Sequence, residues 1–340
     1  MSTWPTLKDG LSVVIVSDVR DVEVPTPIEL RADLEMTDPA TLASLIQACR
    51  DLGVRTTVCS GPTELGENAE SFEGSTVLSI YGGSDSRNRM ALVPAICEAH
   101  HLDFIGPDAY GRIICQDKRI STTLASEAGF LTPKQQLFHS FDDENQLSKY
   151  DPPYVLKPLL EGSSIGITRR NLIRNKSDGI QLLSDLFARF KQPVLLEEFI
   201  PGREVSLNFI ECPNGTIWSF TEICIPHEPL YFDTNLFDAT EKIHHHTDRR
   251  VVSIDSELPK GLLEKATRLL QTVGVIGYGR IDGKFNDGRF TFLELTPDAW
   301  LGPTGAFAAG FMNNGKCYAE IIAATLMSNR AIPSYPTAND

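Results

Sequence analysis

Short runs of β-branched residues alternate with a helical segment early in the chain, and this alternation restricts the possible folds most. LSVVIVSD (11–18), VRTTVC (54–59) and TVLSIYGG (76–83) are typical of buried strands. PATLASLIQACRDLGV (39–54) has apolar residues at helical spacing and ends at Gly53, as helices often do. Strand, helix and strand in this order predict an open α/β domain with a parallel sheet.

The later segments have the patterns of antiparallel strands. REVSLNFIEC (203–212) and TIWSFTEICI (216–225) alternate like neighbouring strands. YGRIDGKFNDGRFTFLEL (278–295) predicts a hairpin, because its centre carries the turn sequence Asn286-Asp287-Gly288. Helices are predicted at 117–133, 177–190, 257–275 and 315–328.

The length of the chain, 340 residues, allows two or three domains. We predict an α/β (α+β) protein with an N-terminal parallel-sheet domain at residues 1–115, a central domain at 116–198 and a C-terminal domain at 199–340.

Composition indicates an ordinary globular protein, with 41% hydrophobic and 22% charged residues. The net charge of −14 argues against a nucleic-acid-binding surface, which requires clustered Lys and Arg. Apolar runs are too short to span a membrane, and the N-terminus lacks the pattern of a secretory leader. Seven scattered cysteines without a C-x-x-C motif favour reduced thiols in the cytosol.

A lysine stands near the end of the apolar strand YVLKP (154–158), and the loop EGSSIG (161–166) follows. Burying Lys157 is costly unless an anion neutralises it. The loop has glycine freedom and N–H donors that can wrap a phosphate, although a simple turn explains the loop equally well. Lys118, next to Asp117 at a predicted helix start, is a second cation, with a solvated charge as its alternative.

The stretch LEEFIPGRE (196–204) has the groups that bind an adenosine. An adenine requires an apolar slot beside an extended backbone, and a ribose requires a carboxylate that accepts its hydroxyl hydrogens. These groups are present in Glu197, Glu198, Phe199, Ile200 and Glu204. A surface acidic cluster is the alternative interpretation.

Two carboxylates, Asp282 and Glu294, lie on the two arms of the predicted hairpin, so they can converge on one face. Paired oxygen ligands beside phosphates suit Mg²⁺, which keeps waters and shares phosphate oxygens. Two unrelated strand charges are the alternative, which is less plausible for a pair that accompanies Arg280.

Taken together, these segments resemble the ATP-grasp ligases, and among them the D-alanine–D-alanine ligase branch. The similar segments, in the family's order, are DKRISTTLASEAGFLTP, YVLKPLLEGSSIGI, LLEEFIPGREVSL, GYGRIDGKFNDGRFTFLEL and a final loop and helix, within about residues 76–330. The resemblance implies the three-part ATP-grasp fold, ATP and Mg²⁺ (or Mn²⁺) as cofactors, and a cytoplasmic homodimer.

The resemblance also implies a role for each matching residue. Lys118 and Lys157 would hold ATP phosphates, and Ser163 and Ser164 would lie in the flap over the γ-phosphate. The adenine site would be lined by Glu197, Glu198, Phe199, Ile200 and Leu293. Glu204 would accept hydrogen bonds from the ribose hydroxyls. Asp282, Glu294 and Thr296 would bind the metal, and Arg280 would stabilise charge on the reacting groups. Arg280, Lys157 and Ser164 are thus the predicted catalytic residues.

The departures from the family fall where amino-acid substrates bind. The family holds the first alanine's ammonium with a carboxylate-bearing turn, and here Val19 stands near that place, with Asp18, Asp21 and Glu23 around it. One departure lies at the metal instead: after the metal glutamate the family has an Asn that also binds magnesium, and here Thr296 replaces it.

Further departures lie in the substrate loop and in the lid. Trp300 lies in a loop of small residues, and Ala306 falls near the family's serine. Leu236 occupies the place of a lid lysine, for which Lys242 is a candidate substitute. Consecutive histidines point in different directions, so His244, His245 and His246 favour a solvated or substrate-lining role over zinc binding.

These patterns favour an ATP-dependent carboxylate–amine ligase of specialised metabolism that acts on amino acids other than two D-alanines. Such an enzyme turns a carboxylate into an acyl phosphate, which an amine then attacks. A true D-alanine–D-alanine ligase is the first alternative, and a non-catalytic nucleotide-binding module is the second. A kinase that stops at the acyl phosphate is compatible with the same residues.

Overall fold

The computed structural model describes residues 4–21, 31–83, 86–140, 144–243 and 248–330. Within these ranges the strands form three sheets that follow one another along the chain. We call the regions around them the N-terminal, middle and C-terminal parts. The predicted domain boundaries at residues 115 and 198 fall between consecutive sheets and remain predictions.

The N-terminal part contains a parallel sheet in the strand order β2-β1-β3-β4, as the sequence predicts. Its elements are β1 (Ser12–Val16), α1 (Pro39–Asp51), β2 (Arg55–Cys59), α2 (Pro62–Glu67), β3 (Thr76–Ser79), α3 (Leu92–Ala99), β4 (Asp103–Ile105) and α4 (Ala109–Gln116). Strand β3 ends earlier than predicted, because the N–H groups of Gly82 and Gly83 bind the Asp18 carboxylate instead of a neighbouring strand.

The middle part contains an antiparallel sheet in the order β5-β8-β6-β7. Its elements are α5 (Lys118–Glu127), β5 (Gln135–Phe138), α6 (Glu144–Leu147), β6 (Tyr154–Pro158), β7 (Leu172–Ile173), α7 (Lys176–Phe190) and β8 (Val194–Glu198). Leu182, Leu183 and Leu186 of α7 pack against Tyr154 and Leu156 of β6. This apolar face fixes the strand that carries Lys157.

The C-terminal part contains a five-stranded antiparallel sheet in the order β11-β10-β9-β12-β13. Its elements are β9 (Arg203–Cys212), β10 (Gly215–Cys224), α8 (Ala239–Ile243), β11 (Arg250–Ser253), α9 (Leu262–Val273), β12 (Tyr278–Asn286), β13 (Arg289–Pro297), α10 (Ala306–Asn313) and α11 (Tyr318–Leu326). The predicted hairpin at 278–295 is therefore confirmed.

Two predicted helices are shorter in the structure. Helix α5 ends at Glu127 because Gly129 has a φ of +94°, which reverses the chain before Pro133. Helix α9 begins only at Leu262, because Gly261, with a φ of +75°, precedes it.

The apolar cores cross the borders between the three parts. Ala125, Ala128 and Phe130, in and after α5, pack with Phe292 of β13. Leu45 of α1 shares a core with Ile321 of α11 and other C-terminal residues. Helix α5 is thus fixed on the C-terminal sheet, which brings Lys118 at its first position close to β13. Among the helices of the described ranges, none has the length and apolar character needed to cross a lipid bilayer.

Candidate active site

Two carboxylates face each other on the hairpin of the C-terminal sheet. The register of β12 and β13 places Asp282 opposite Glu294, as the sequence predicts. The register shifts directly after this pair, because Gly283 pairs with Phe292 and leaves Leu293 as an extra residue. Such β-bulges re-aim side chains next to active sites. The carboxylate pair thus lies at a bulge, next to the Leu293 that the resemblance assigns to the nucleotide.

Hydrogen bonds hold Asp282 in place. The Ser206 hydroxyl donates to its Oδ1 at 2.6 Å, and the Arg280 guanidinium donates to its Oδ2 at 2.9 Å. The Thr296 hydroxyl donates to Oδ2 at 3.3 Å, so its oxygen lies beside the carboxylates. Arg280 Nε is buried without a hydrogen-bond partner among the described residues, which leaves a donor for a ligand.

Lys118 approaches the same carboxylates from the N-terminus of α5. Its Nζ lies 3.0 Å from Glu294 Oε1 and also donates to the backbone carbonyl of Glu161. Asp117 caps the helix by accepting the N–H groups of Arg119 and Ile120, and this cap fixes the helix start. Lys118 is only 4% exposed, so its charge acts in a largely dry site.

Lys157 has a counter-ion from the protein itself. Its Nζ lies 2.6 Å from Oε1 of Glu197, on the neighbouring strand β8, and both side chains are buried. Gln135 donates to the other oxygen of Glu197 at 2.8 Å. The sequence predicts a phosphate as the counter-ion of Lys157. In the structure Glu197 is that counter-ion, so a phosphate would be a second anionic partner.

The charges of three lysines converge on Glu294. Burial alone would raise the pKa of this carboxyl, but the positive charges of Lys118, Lys157 and Lys242 hold that pKa below its usual value. These lysines come from α5, β6 and α8, three separate segments of the chain. Positive charge from three segments therefore acts on Glu294, as a site for a polyphosphate requires.

Lys242 is the member of this group that sequence reasoning named only as a candidate substitute. Burial and the nearby charge of Arg280 lower its pKa to about 8, although the carboxylates of Glu294, Asp282 and Glu204 act in the opposite direction. Lys242 thus lies within electrostatic reach of both predicted metal ligands.

The loop at residues 161–166, the predicted flap, is held at both ends. Glu161 accepts a hydrogen bond from Gln192 Nε2 at 2.7 Å, and Asn171 Nδ2 donates to the Gly166 carbonyl at 2.8 Å. Ser163 and Ser164 have φ angles of +48° and +61°, which are uncommon for residues other than glycine. Ser163 is exposed, and the Ser164 hydroxyl donates to the carbonyl of Phe237 at 3.2 Å. The flap thus touches the segment that leads to Lys242.

The predicted adenine hinge follows β8. The N–H of Glu198 donates to the Lys134 carbonyl at 2.9 Å, and the N–H of Phe199 donates to the Pro153 carbonyl at 3.4 Å. These two N–H groups are therefore engaged within the protein and are not free to donate to an adenine. Glu204, the predicted ribose acceptor, forms an ion pair with Lys284 at 2.7 Å.

The residues present fit a magnesium ion that is shared with phosphates. Asp282 and Glu294 supply carboxylates, and Thr296 supplies a hydroxyl oxygen. Within the described ranges no cluster of three or more His, Cys, Asp or Glu residues could hold a metal by itself. Mg²⁺ is usually bound by one or two carboxylates plus substrate phosphates, so this smaller donor set suffices.

A family match decides the classification. The sequence model of the family described as D-ala D-ala ligase C-terminus matches residues 128–327, which is more than half of this chain. The chain belongs to the D-alanine–D-alanine ligase family. It is therefore an ATP-grasp carbon–nitrogen ligase, as the resemblance implied.

Individual relatives agree with this classification. The D-alanine–D-alanine ligase of Pediococcus pentosaceus is 26% identical over 254 residues, which cover 72% of this chain and 67% of the relative. An uncharacterized protein of Sinorhizobium fredii, y4sG, is 22% identical over 291 residues, which cover 82% of this chain and 84% of that protein.

Solved structures of the same family show the same fold. The Bacillus anthracis D-alanine–D-alanine ligase complexed with ATP aligns with a TM-score of 0.68 at 16% identity, over 94% of this chain and 97% of that one. The VanG D-Ala:D-Ser ligase of Enterococcus faecalis aligns with a TM-score of 0.66 at 17% identity, over 93% and 98%. The predicted ATP-grasp fold is confirmed.

Sequence reasoning missed two charged residues where the N-terminal part of this ligase meets the flap. Arg89 donates to Glu35 at 2.6 Å, to the Leu160 carbonyl at 3.1 Å and to Glu161 at 3.2 Å. Glu35 lies so close to Gly162 that a Cβ there would approach its Oε1 to 2.1 Å. We call Arg89, Glu35 and Glu161 the flap cluster. No periodicity or motif singles out Glu35 or Arg89 in the sequence.

The turn expected to hold the first amino acid of the ligase is differently engaged. Val19 is exposed, and both carboxylate oxygens of Asp18 accept backbone N–H groups, from Gly82 at 2.9 Å and Gly83 at 2.7 Å. Asp21 lies next to this turn and Glu23 lies outside the described residues. The carboxylate that contacts the flap is that of Glu35, which lies outside this turn.

Trp300 links the substrate loop of the ligase to the N-terminal part. Its Nε1 donates to the Thr41 hydroxyl at 3.0 Å, while 44% of the residue stays exposed. A Cβ at Gly302 or Gly305 would lie 2.4 or 2.7 Å from indole atoms, so the ring covers this loop closely. Ala306, the first residue of α10, is buried.

Leu236 is half-buried between Asn235 and Phe237. His244, His245 and His246 lie outside the described residues.

Proposed function

We propose that this ligase uses ATP to activate a carboxylate as an acyl phosphate and joins it to an amine, with substrates other than two D-alanines. The observation that carries the proposal is the ion pair of Lys118 with Glu294, 3.0 Å long, opposite Asp282, where the charges of Lys157 and Lys242 also act. A site with these charges fits a triphosphate with a divalent ion. ATP use is also supported by the structural neighbour that was solved with ATP.

The residues divide the work of phosphoryl transfer. Lys118, Lys157 and Lys242 neutralise the phosphates and position the γ-phosphorus for attack by the carboxylate oxygen. The bond from this phosphorus to the bridging oxygen breaks, and ADP leaves. Asp282, Glu294 and Thr296 would hold Mg²⁺ (or Mn²⁺), which supplies charge neutralisation and orientation at the phosphate oxygens when bound. Ser164 and the flap cover the site, which keeps water away from the activated acid.

The second step forms the amide bond. The amine nitrogen attacks the acyl carbon, the bond from carbon to the phosphate oxygen breaks, and inorganic phosphate leaves as the nitrogen loses a proton. Negative charge develops on the acyl oxygen, and Arg280 is the cation proposed to stabilise it. Its position beside Asp282, at 2.9 Å, supports this role.

Three features support substrates other than two D-alanines. Arg89 already forms an ion pair with Glu35, so this carboxylate is a poor partner for a substrate ammonium. Trp300 fills the loop that carries small residues in the family, and Ala306 falls near the family's serine. The VanG D-Ala:D-Ser ligase shares the fold, so the fold itself does not require two D-alanines.

A D-alanine–D-alanine ligase remains the second candidate, because the curated relatives in P. pentosaceus and Thermotoga carry that name. A cytoplasmic homodimer without nucleic-acid or membrane partners is proposed on the resemblance and the composition. A non-catalytic module is disfavoured, because a site without turnover has no need to keep Lys118, Lys157, Asp282 and Glu294 together.

The test is phosphate release from ATP and Mg²⁺ across a panel of D- and L-amino acids, hydroxy acids and amines, with the product mass measured. We expect release that depends on an acid and an amine, with a product other than D-Ala-D-Ala. The variant Lys157→Met should lose release, whereas Lys316→Met, on the surface near α11, should keep it. Release with D-alanine alone and D-Ala-D-Ala as product would establish the second candidate.

A further inference from the structure

Lys284 is a buried cation that the proposed mechanism does not use. It lies on β12, two residues after Asp282, and only 3% of it is exposed. The register pairs it with Glu204 of β9, next to the Asp282–Ser206 pair. A lysine is rarely buried to this extent unless its charge and its three N–H donors find partners.

Three acceptors surround the Lys284 ammonium. Its Nζ lies 2.7 Å from Glu204 Oε1, 3.2 Å from the Gly202 carbonyl and 3.3 Å from the Phe232 carbonyl. The Phe232 ring, with its centroid 5.3 Å away, adds a cation–π contact. Each N–H donor therefore has an acceptor, and Lys284 is not free to bind a ligand itself.

These contacts join two regions with different roles. Gly202 and Glu204 belong to the stretch that follows the adenine hinge, and Glu204 is the proposed ribose acceptor. Phe232 belongs to residues 231–243, which we call the lid segment and which end in α8 with Lys242. The same segment touches the flap, because the Phe237 carbonyl accepts the Ser164 hydroxyl. Lys284 is thus a direct link between the ribose site and the lid segment.

We propose that Lys284 is a positioning residue that couples the nucleotide's ribose to the lid segment. The inference rests on the ATP use in the proposed function and on the predicted role of Glu204 as the residue that accepts hydrogen bonds from the ribose hydroxyls. Lys284 holds one oxygen of Glu204 in a fixed place and leaves the other oxygen for the ribose. The same ammonium anchors the backbone at Phe232 and, through that segment, holds Lys242 near the phosphates.

Coupling of this kind is reciprocal. A ribose that orders Glu204 also orders Lys284 and the lid segment, and an ordered lid segment favours ribose binding by the same factor. A lysine with a purely structural role would stabilise the sheet but would leave the preference for a ribose hydroxyl unchanged. The two roles therefore differ in a measurable way.

The experiment compares the wild type with Lys284→Met, which keeps the length of the side chain and removes its charge. Phosphate release is measured with ATP, 2′-deoxy-ATP and 3′-deoxy-ATP. We expect the wild type to lose about tenfold in kcat/KM when the recognised hydroxyl is removed. In Lys284→Met, kcat/KM for ATP should fall by about tenfold, and the preference for the hydroxyl should shrink to less than about threefold.

Hydrogen exchange supplies the second readout. ATP should protect the backbone amides of the lid segment in the wild type, and Lys284→Met should lose that protection. Lys284→Arg, which keeps the charge, should retain the hydroxyl preference. Lys260→Met, an exposed lysine before α9, is the matched control and should behave like the wild type.

Glu204→Gln keeps the test decisive if Lys284→Met does not fold. This variant should also lose the hydroxyl preference and the ATP-dependent protection of the lid segment. An unchanged hydroxyl preference together with unchanged lid protection in Lys284→Met would overturn the inference while leaving ATP-dependent ligation intact. If only Glu204→Gln folds, unchanged lid protection in that variant would overturn it in the same way. A wild type that neither binds nor turns over ATP would overturn both.

Discussion

The charges at the two ends of the candidate site are balanced in different ways. At the hairpin, the positive charges of Lys118, Lys157 and Lys242 act on Glu294. The buried Nε of Arg280 has no hydrogen-bond acceptor among the described residues. At the flap cluster, one cation serves two anions, because Arg89 binds Glu35, Glu161 and a backbone carbonyl.

This difference separates binding from closure. At the hairpin end Lys118, Lys157 and Arg280 have carboxylate partners, and the charge of Lys242 comes in addition to these pairs. An excess of positive charge is expected of a site that binds phosphates. The hydrogen bonds of Arg89 in the flap cluster are all made to groups of the protein. The cluster therefore joins the N-terminal part to the flap without a ligand. We therefore expect substitutions at the hairpin end to affect turnover, and substitutions in the flap cluster to affect stability.

The largest effect is expected for Asp282→Asn at the hairpin end. The change removes a proposed metal ligand but keeps the size of the side chain, so kcat for phosphate release should fall on the order of 10³-fold. The melting temperature should change little. Asp287→Asn, in the exposed turn of the same hairpin, is the matched control and should keep full activity. Normal turnover in Asp282→Asn would mean that the metal does not bind at this hairpin.

The pairing of Asp282 with Glu294 could be predicted because it depends on local signals. The turn sequence Asn286-Asp287-Gly288 fixes the hairpin, and its register follows within a few residues. Lys157 could likewise be singled out, since a charge inside an apolar strand is unusual in any sequence. A buried strand can be predicted from the pattern of apolar residues within it alone.

Contacts between distant segments could not be predicted in this way. Arg89 meets Glu35 and Glu161, which are 54 and 72 positions away, and Trp300 meets Thr41 across 259 positions. Trp300 stands out in its loop, but its partner could not be predicted. Like the partners of Arg89, it is set by how the three parts pack. The same reason explains why Glu197, and not only a phosphate, neutralises Lys157 across two strands.

The flap cluster supplies the second prediction, through Arg89→Gln. Removing the guanidinium leaves the partly buried carboxylates of Glu35 and Glu161 without their cation, which should cost about 3 kcal/mol of unfolding free energy. Thermal and urea unfolding measure the loss, and Arg87→Gln, on the exposed surface nearby, is the control.

A second change tests the cause of that loss. The double variant Arg89→Gln with Glu35→Gln should recover a large part of the stability, because it also removes one unbalanced charge. A loss below about 1 kcal/mol for Arg89→Gln, the range of exposed ion pairs, would mean that the flap cluster does not hold the parts together. Loss of turnover without loss of stability would reverse the comparison between the two ends.

The smallest effect concerns the pH dependence of ATP use at the hairpin end. Burial and Arg280 lower the pKa of Lys242 to about 8, so in the free enzyme its ammonium is present below pH 8 and lost above it. Because kcat/KM reports groups of the free enzyme, kcat/KM for ATP should fall by about fivefold as the pH rises through 8. The Lys242→Met variant should have the lower value throughout and no step near pH 8. Bound phosphates favour the charged lysine, so the corresponding step in kcat should move to higher pH. A step that persists in Lys242→Met would belong to another group and would place Lys242 outside the phosphate site.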